Sequence, residues 1–473
     1  MNPGLRLIAG ACALALSATC AFAQDAAAVR TAETLRDRAL EQNIAYDLVA
    51  QITTRFGPRL AGSPSEQAAA RWGADYLRGL GLANVSVEQF PLEYWTRGAE
   101  SVEIVAPFAQ PLTVTALGGA APTPRGGVEA EAVIFAAYRD LLDAAPGSLE
   151  GKIAVVLEDT IRAQDGRGYG SSSVMRFQGP TEAAARGAVG YLLRSLGTHD
   201  HRFAHTGATR VGEGTIPAFA ISPPDAEQLA RIVALSDEPV LIRLNAPDIQ
   251  VRPSHSQNVI AEVVGRERPE EVIVIGGHLD SWDLGTGAID DAAGVAITTA
   301  ALKLIADLPQ APRRTIRVVW WGAEEVPQTT GGLAGAQFYA DSRADQMDDH
   351  VAISESDFGA GAIYALSLPA GADGTFRDAA LRVLRPLGVL WDPSPARGGG
   401  PDTGPTVARG VPAFRLAQDG TDYFDVHHTA DDVIERIDPE QLTQNVAAWA
   451  ALLWLMADSD IDFRPGMAAA AAD

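Results

Sequence analysis

Cysteine is almost absent from this chain. Its 473 residues hold two, Cys12 and Cys20, and both fall in an N-terminal stretch that reads as an export leader. Arg6 supplies the basic start, Leu7 to Leu16 a short apolar run, and Ala21-Phe22-Ala23 a small-residue cleavage site ahead of Gln24. Residues 1–23 are therefore expected to be removed, which makes the protein secreted or periplasmic; a lipid anchor on Cys20, preceded by Thr19, is the competing reading. Without the leader no cysteine is left, so disulfides and thiolate metal ligands are both excluded. Long hydrophobic runs are missing too, since the leader's run is too short and too alanine-rich for an integral membrane span. Basic residues are outnumbered, with 37 Lys and Arg against 60 Asp and Glu and a net charge of −23. That balance argues against nucleic acid and anionic membranes as partners.

Hydrophobic residues make up 47% of the sequence, enough for a large core in two or three domains. Helical spacing of apolar residues predicts a helix over Ala26–Ile52. A second helix begins at Ser63, with Pro64 at its first position, Glu66 completing a capping box and Gly81 as its stop. A strand follows from Val85. The turn Pro122–Gly127 opens a stretch of short apolar runs, and residues 120–250 read as a small mixed domain inserted into the main one. From Asn258 strands and helices alternate regularly: Asn258–Val264, Val272–Ile275, Thr315–Trp321, Val351–Ser354 and Pro412–Leu416 as strands, Asp291–Ile305 and Gln441–Met456 as helices. This order predicts an α/β fold, a mixed and mostly parallel sheet with helices on both faces, built from residues 24–119 and 251–465. Residues 466–473 form an alanine-rich tail expected to be disordered.

Chemistry-bearing residues collect where those strands end, the place where α/β sheets build their sites. Val272–Ile275 runs into His278 and Asp280, two apart and so on one side of an extended chain. A metal-bound imidazole commonly gives its other N–H to a carboxylate, the role open to Asp280. Asp290 and Asp291 precede a helix, where either alone would serve as an N-cap. Ile316–Trp321 ends in Glu324-Glu325, adjacent carboxylates that can hold a metal with one member and act as a base with the other. Val351–Ser354 leads to Asp357, and the Tyr423–Thr429 stretch carries His427 and His428, two of only 8 histidines. Imidazole and carboxylate without sulfur suit zinc, with manganese or cobalt as substitutes. Five candidate ligands exceed the needs of one catalytic zinc, so two ions about 3.5–4 Å apart, sharing a carboxylate, fit better.

These stretches resemble metallopeptidase family 28, the two-zinc aminopeptidase and carboxypeptidase group. The resemblance rests on Gly277–Trp282, Gly287–Asp291, Trp321–Glu325, Glu355–Asp357 and His428–Asp432, and extends to Gly57–Ser63, Gly151–Ile153 and Ile216-Pro217. It implies the zinc-exopeptidase fold, with His278 and Asp357 on one zinc, Glu325 and His428 on the other, Asp290 bridging and Glu324 as general base. It also implies that the insert is a β-rich, non-catalytic protease-associated domain and that the protein is a homodimer. Tyr423 and His427 are both candidates for the oxyanion donor. The segment Val326–Thr330 is longer than the family pattern, which bears on substrate fit. The function implied is hydrolysis of short peptides, most of all dipeptides. An aminopeptidase of the same family is the alternative, a catalytically inactive binding protein is the rival of another class, and glutaminyl cyclisation on the same fold and metal set is a third reading within enzymes. Asp291, Asp402 and Arg397 sit in motif-rich loops as candidates for reading a peptide terminus.

Overall fold

Alternation along the strands decides the architecture. Val259, Ala261 and Val263 enter one apolar core and Ile260 another; Ile273 and Ile275 side with the first, Val272 and Val274 with the second. Two buried faces require cover on both sides. The first face packs against the helices Ala45–Phe56, Pro64–Gly79, Ala293–Ala306 and Pro439–Ala457, and the second against Ala334–Ser342. The computed structural model describes residues 26–212, 214–326 and 332–464. The expected leader with both cysteines, residues 327–330 of the longer segment and the alanine-rich tail lie outside the described residues.

The main sheet has the order Ala83–Thr96, Gln250–Val263, Arg314–Trp321, Arg268–His278, His350–Glu355. Its last three strands run parallel, with His278 opposite Trp321 and Gly276 opposite Glu355. That register brings the ends of three strands, and the loops leaving them, to one edge. A parallel bridge from Ile353 to Ala413 links this sheet to a smaller one made of Ile363–Ser367, Leu390–Trp391 and Arg415–Gln418.

Several local expectations shift. The N-terminal helix is two: residues 26–41 are helical, and a second helix covers Ala45–Phe56. Asn43 makes the break, giving its amide to Ala39 O and accepting the Ala45 N–H at 2.9 Å. Ser63 caps its helix by accepting Glu66 N–H, but the Glu66 carboxylate reaches the Gly62 amide rather than that of Ser63. The helix expected from Asp291 starts regularly at Ala293, after an irregular turn over Ala288–Ala292.

A second sheet of eight strands runs Gln110–Leu112, Ser101–Ala106, Leu241–Asn245, Val128–Phe135, Ile153–Val156, Gly190–Arg194, Ala218–Ile221, Val114–Ala116. It takes in strands from Ser101 onward, so the expected boundary at 120 falls inside it. Gln250–Val263 belongs wholly to the main sheet, because it pairs with Ala83–Thr96 along its length from Thr96 opposite Gln250. The central strands of this second sheet are parallel and alternate with helices, so the segment is α/β rather than simply β-rich. Its inner residues, among them Val102, Ile153 and Phe219, share a core with Trp95 and Trp282.

Glu66 is fully buried in this frame. Burial pushes its carboxyl up to about 8, against the pull of hydrogen bonds from Ser256 and Gly62. A carboxyl raised in the folded state holds a proton that the unfolded chain releases above the ordinary value of 4.5. Stability should therefore fall as pH rises from about 4.5 to about 8, by up to about 1.4 kcal/mol per pH unit from this group, and then level off. Melting temperatures across pH 5–9 should show a shallower decline for Glu66→Gln, with the variant more stable than the parent above about pH 8.

Candidate metal centre

The site is assembled from loops leaving the parallel strands. At the end of Arg268–His278, the His278 Nδ1 lies 2.9 Å from the Asp280 carbonyl oxygen. A carbonyl accepts only if Nδ1 carries a proton, which in the neutral ring leaves the lone pair on Nε2. That atom sits 3.0 Å from Asp290 Oδ1 and 3.5 Å from Asp357 Oδ1. On the facing loop, His428 Nδ1 lies 3.3 Å from the Thr206 carbonyl, and its Nε2 is 2.9 Å from Glu325 Oε1 and 3.2 Å from Asp290 Oδ2. Asp290 thus stands among three imidazoles, with His278 against Oδ1 and both His428 and, at 3.5 Å, His427 against Oδ2. His278, Asp290 and Asp357 offer ligand atoms to one common point, as do His278, Glu324 and Glu325, and Asp290, His427 and His428.

The remaining acidic residues divide the structural work. Asp291 accepts from the His278 and Gly294 amides, so it caps the following helix and leaves Asp290 to the cluster. Gly294 itself permits the close approach: a Cβ there would lie 1.6 Å from the Ser356 carbonyl oxygen. Ala323 takes a left-handed φ of 58° just past the strand Arg314–Trp321. The turn aims the Glu324 and Glu325 amides at the two oxygens of Asp280, at 3.0 and 3.2 Å. Glu325 is then fixed by the Trp282 indole, which donates to Oε2 at 2.7 Å, while Glu324 lines the cavity.

The electrostatics call for a cation. Burial lowers the His428 imidazole, but Glu325 and Asp290 outweigh it and carry it up to about 9. Burial likewise opposes His278, and Asp290 with Asp357 holds it well above its ordinary value. Burial, then Glu325, pushes Glu324 well above the usual carboxylate range. Asp290 Oδ2 and Glu325 Oε1 are buried without a hydrogen-bond donor, although an imidazole nitrogen faces each. A metal ion between lone pair and carboxylate satisfies both groups without protonating either, so the donor set fits zinc.

A sequence model of peptidase family M28 matches residues 258–453, the span holding every candidate ligand. Carboxypeptidase Q of Mus musculus is 33% identical over 426 residues, covering 89% of this chain and 87% of the relative. The chain belongs to peptidase family M28. Carboxypeptidase Q of Homo sapiens is 32% identical over 89% of this chain and 86% of its own. The solved structure of an M28 peptidase precursor from Shewanella amazonensis superposes with a TM-score of 0.89 at 45% identity, covering 93% of this chain and 99% of that one. A zinc aminopeptidase from Bacillus subtilis shares the fold at a TM-score of 0.62 and 20% identity, covering 89% of this chain and 96% of that one. The protein is thus a zinc exopeptidase of the M28 group, as the motifs led one to expect.

In this M28 chain the cavity over the cluster measures about 580 Å³ and is lined by His278, Asp290, Glu324, Glu325, Asp357 and His428. Tyr423 and His427 line it as well, and the His427 ring stacks on His428 at 3.5 Å. Asp402 is buried beside Glu355, whose Oε2 accepts its amide, while Arg397 is exposed and does not line this cavity. Sequence reasoning passed over Arg176, which reaches the cavity wall from the helix Arg167–Phe177, because no motif surrounds it. It also gave no role to Arg59 or Asp432, although both stand in stretches that carried the resemblance. Among the described residues no helix is long and apolar enough to cross a membrane.

Zinc binding must displace the proton that His428 holds up to about pH 9 in the metal-free cluster. Apparent zinc affinity should therefore rise between pH 6.5 and 8.5, by about tenfold per pH unit for each proton displaced. Calorimetric titrations of the EDTA-stripped protein in buffers of differing ionisation enthalpy check this; affinity independent of pH would contradict it.

Proposed function

We propose that this chain is an exported two-zinc dipeptidase. His278 and Asp357 would hold one ion, Glu325 and His428 the other, and Asp290 both. Convergence of these donors at one sheet edge, with two unpartnered carboxylate oxygens, supports that assignment. Bound zinc supplies a Lewis acid and lowers the pKa of water to about 7. Glu324 takes the proton from the attacking water and delivers it to the leaving amine. It is free for this because Asp280 holds its backbone while Trp282 binds the neighbouring Glu325 instead. Tyr423 and His427 both border the space where the carbonyl oxygen would develop charge. Burial keeps His427 well below its ordinary value, hence neutral and able to donate from one nitrogen only.

The observation that carries the dipeptide reading is Arg176. It is buried on the cavity wall, with Nη1 3.4 Å from His428 Nδ1. Its Nε gives a hydrogen bond to Ala208 O, and among the described residues it has no ion pair. A buried guanidinium without a carboxylate, in a chain of net charge −23, is a ready partner for the carboxylate of a substrate. One residue of extended peptide spans about 3.3–3.6 Å, so a terminal carboxylate held there leaves the neighbouring peptide bond beside the metal ligands. The inserted segment, read as a protease-associated module, would thereby contribute to substrate recognition. The N-terminal stretch supports export, with cleavage after Ala23.

Glu324→Gln should reduce kcat by at least about 100-fold while zinc content stays at the parental level. Arg176→Met should raise KM for free dipeptides by about 10–100-fold and leave their C-terminal amides as poor as they are for the parent. Amides cleaved as well as free dipeptides, with N-acetylation alone blocking turnover, would instead identify an aminopeptidase.

A further inference from the structure

Arg59 comes from the N-terminal segment, more than 200 positions before the metal ligands, and its side chain is fully buried at 0% exposure. Its contacts are confined to one neighbourhood. Nε donates to Leu279 O at 2.7 Å, Nη1 to Thr286 O at 2.6 Å and to Gly57 O at 3.0 Å, and Nη2 to Gly287 O at 2.9 Å. The backbone adds two more bonds, Arg59 N–H to Ser281 Oγ at 3.0 Å and Ser281 N–H to Arg59 O at 3.1 Å. Leu279, Ser281, Thr286 and Gly287 all belong to the loop that joins His278 to Asp290. A planar fork with donors on three nitrogens is the one side chain that can satisfy so many carbonyls at once.

The loop is held from its other side by Asp432, four residues past His428. Asp432 Oδ1 accepts the Ile289 amide at 2.6 Å, and its carbonyl accepts the Thr286 amide at 2.8 Å. Gly287 shows how tightly the chain is folded here: at φ +60° its Cβ would come within 2.3 Å of Ser281 Cβ and 2.8 Å of Arg59 Nη2. Burial pushes the guanidinium down to about 10, so it stays a cation at neutral pH, and Asp432, Asp280, Asp291 and Asp290 all favour its charge. No ion pair of Arg59 with any of these carboxylates forms among the described residues; its side-chain hydrogen bonds go to backbone carbonyls.

We infer that Arg59 is a positioning residue for the metal centre: it fixes the loop between His278 and Asp290 in its ligand-presenting shape and sets a permanent positive charge behind the ligand carboxylates. The inference rests on the reading of the cluster as a zinc site. Rotating either end of this loop would separate His278 Nε2 from Asp290 Oδ1, the 3.0 Å pair at the centre of the cluster. Lysine keeps the charge but loses the fork, so Arg59→Lys separates geometry from electrostatics.

The test uses the full chain stripped of metal with EDTA, with zinc as the probe and a chromogenic chelator as competitor. Circular dichroism and the metal-free melting temperature establish folding of each variant. Folded Arg59→Lys should bind zinc about 10–100-fold more weakly than the parent. Saturated with zinc, it should lose kcat on a free dipeptide with KM held within about twofold, because Arg59 lines no part of the substrate cavity. A folded Arg59→Lys with parental zinc affinity and kcat overturns the inference. If that variant does not fold, Ser281→Ala, which removes one bond of the same clamp, carries the test: about 3–10-fold weaker zinc binding supports the inference, and unchanged binding overturns it. A parent that takes up no zinc brings down the metal reading itself, and this inference with it, whereas a zinc-binding parent matched by its variants removes the role of Arg59 alone.

Discussion

Negative charge buried at one edge of a sheet is the constraint on which the rest of this structure depends. Asp280, Asp290, Asp291, Glu325, Glu355, Asp402 and Asp432 are all buried there, and Glu324 and Asp357 stand beside them. A buried carboxylate without compensation costs several kcal/mol. The fold answers with backbone amides wherever it can. Asp280 receives two, Asp291 two, Asp432 that of Ile289 and Glu355 that of Asp402. Amides leave buried oxygens unpartnered at Asp290, Glu325, Glu355 and Asp402, and of these Asp290 and Glu325 face imidazole nitrogens. A divalent cation fits where unpartnered carboxylate and imidazole meet.

That arrangement explains why the parallel strands must share a register. His278 lies opposite Trp321 and Gly276 opposite Glu355, so the turns that follow open at one level. Each turn then needs a particular backbone device. Ala323 adopts a left-handed conformation, and His428 does the same at φ 61°. Such conformations cost about 1 kcal/mol for residues with a side chain and persist where surrounding hydrogen bonds hold them. Here they aim the ends of the Glu324-Glu325 and His427-His428 pairs in different directions, so adjacent residues of the same type meet different partners.

The second sheet is part of the site rather than an appendage. Thr206 donates its N–H to the His428 carbonyl at 3.0 Å and places its own carbonyl against His428 Nδ1. Arg97 ties the two sheets together by pairing with Asp283 and donating to Ala116 O and Thr206 Oγ1. Trp282, which fixes Glu325, rests in the core formed with the second sheet. The candidate metal centre and the second sheet's segment thus share hydrogen bonds and a core, and Arg176 lines the cavity from that segment.

Much of this could be read from the residues alone. The absence of cysteine beyond Cys20, the strand–helix alternation after Asn258, and the carboxylates and histidines at strand ends follow from local pattern, because hydrophobic period and composition are properties of short stretches. They define the α/β class and the set of candidate metal ligands. What the pattern could not resolve were choices between neighbours: Asp290 against Asp291, and which of His427 and His428 faces Glu325. Those depend on backbone turns that bring distant atoms within 3 Å, and no periodicity encodes them. The edge of the second sheet was misjudged by about twenty residues, since Ser101–Ala106 finds its partner 140 positions later in Leu241–Asn245. Arg59 and Arg176 acquired their meaning only in three dimensions. An isolated arginine looks like any solvated charge until the fold removes its water and leaves backbone carbonyls around one and an acidic metal cavity in front of the other.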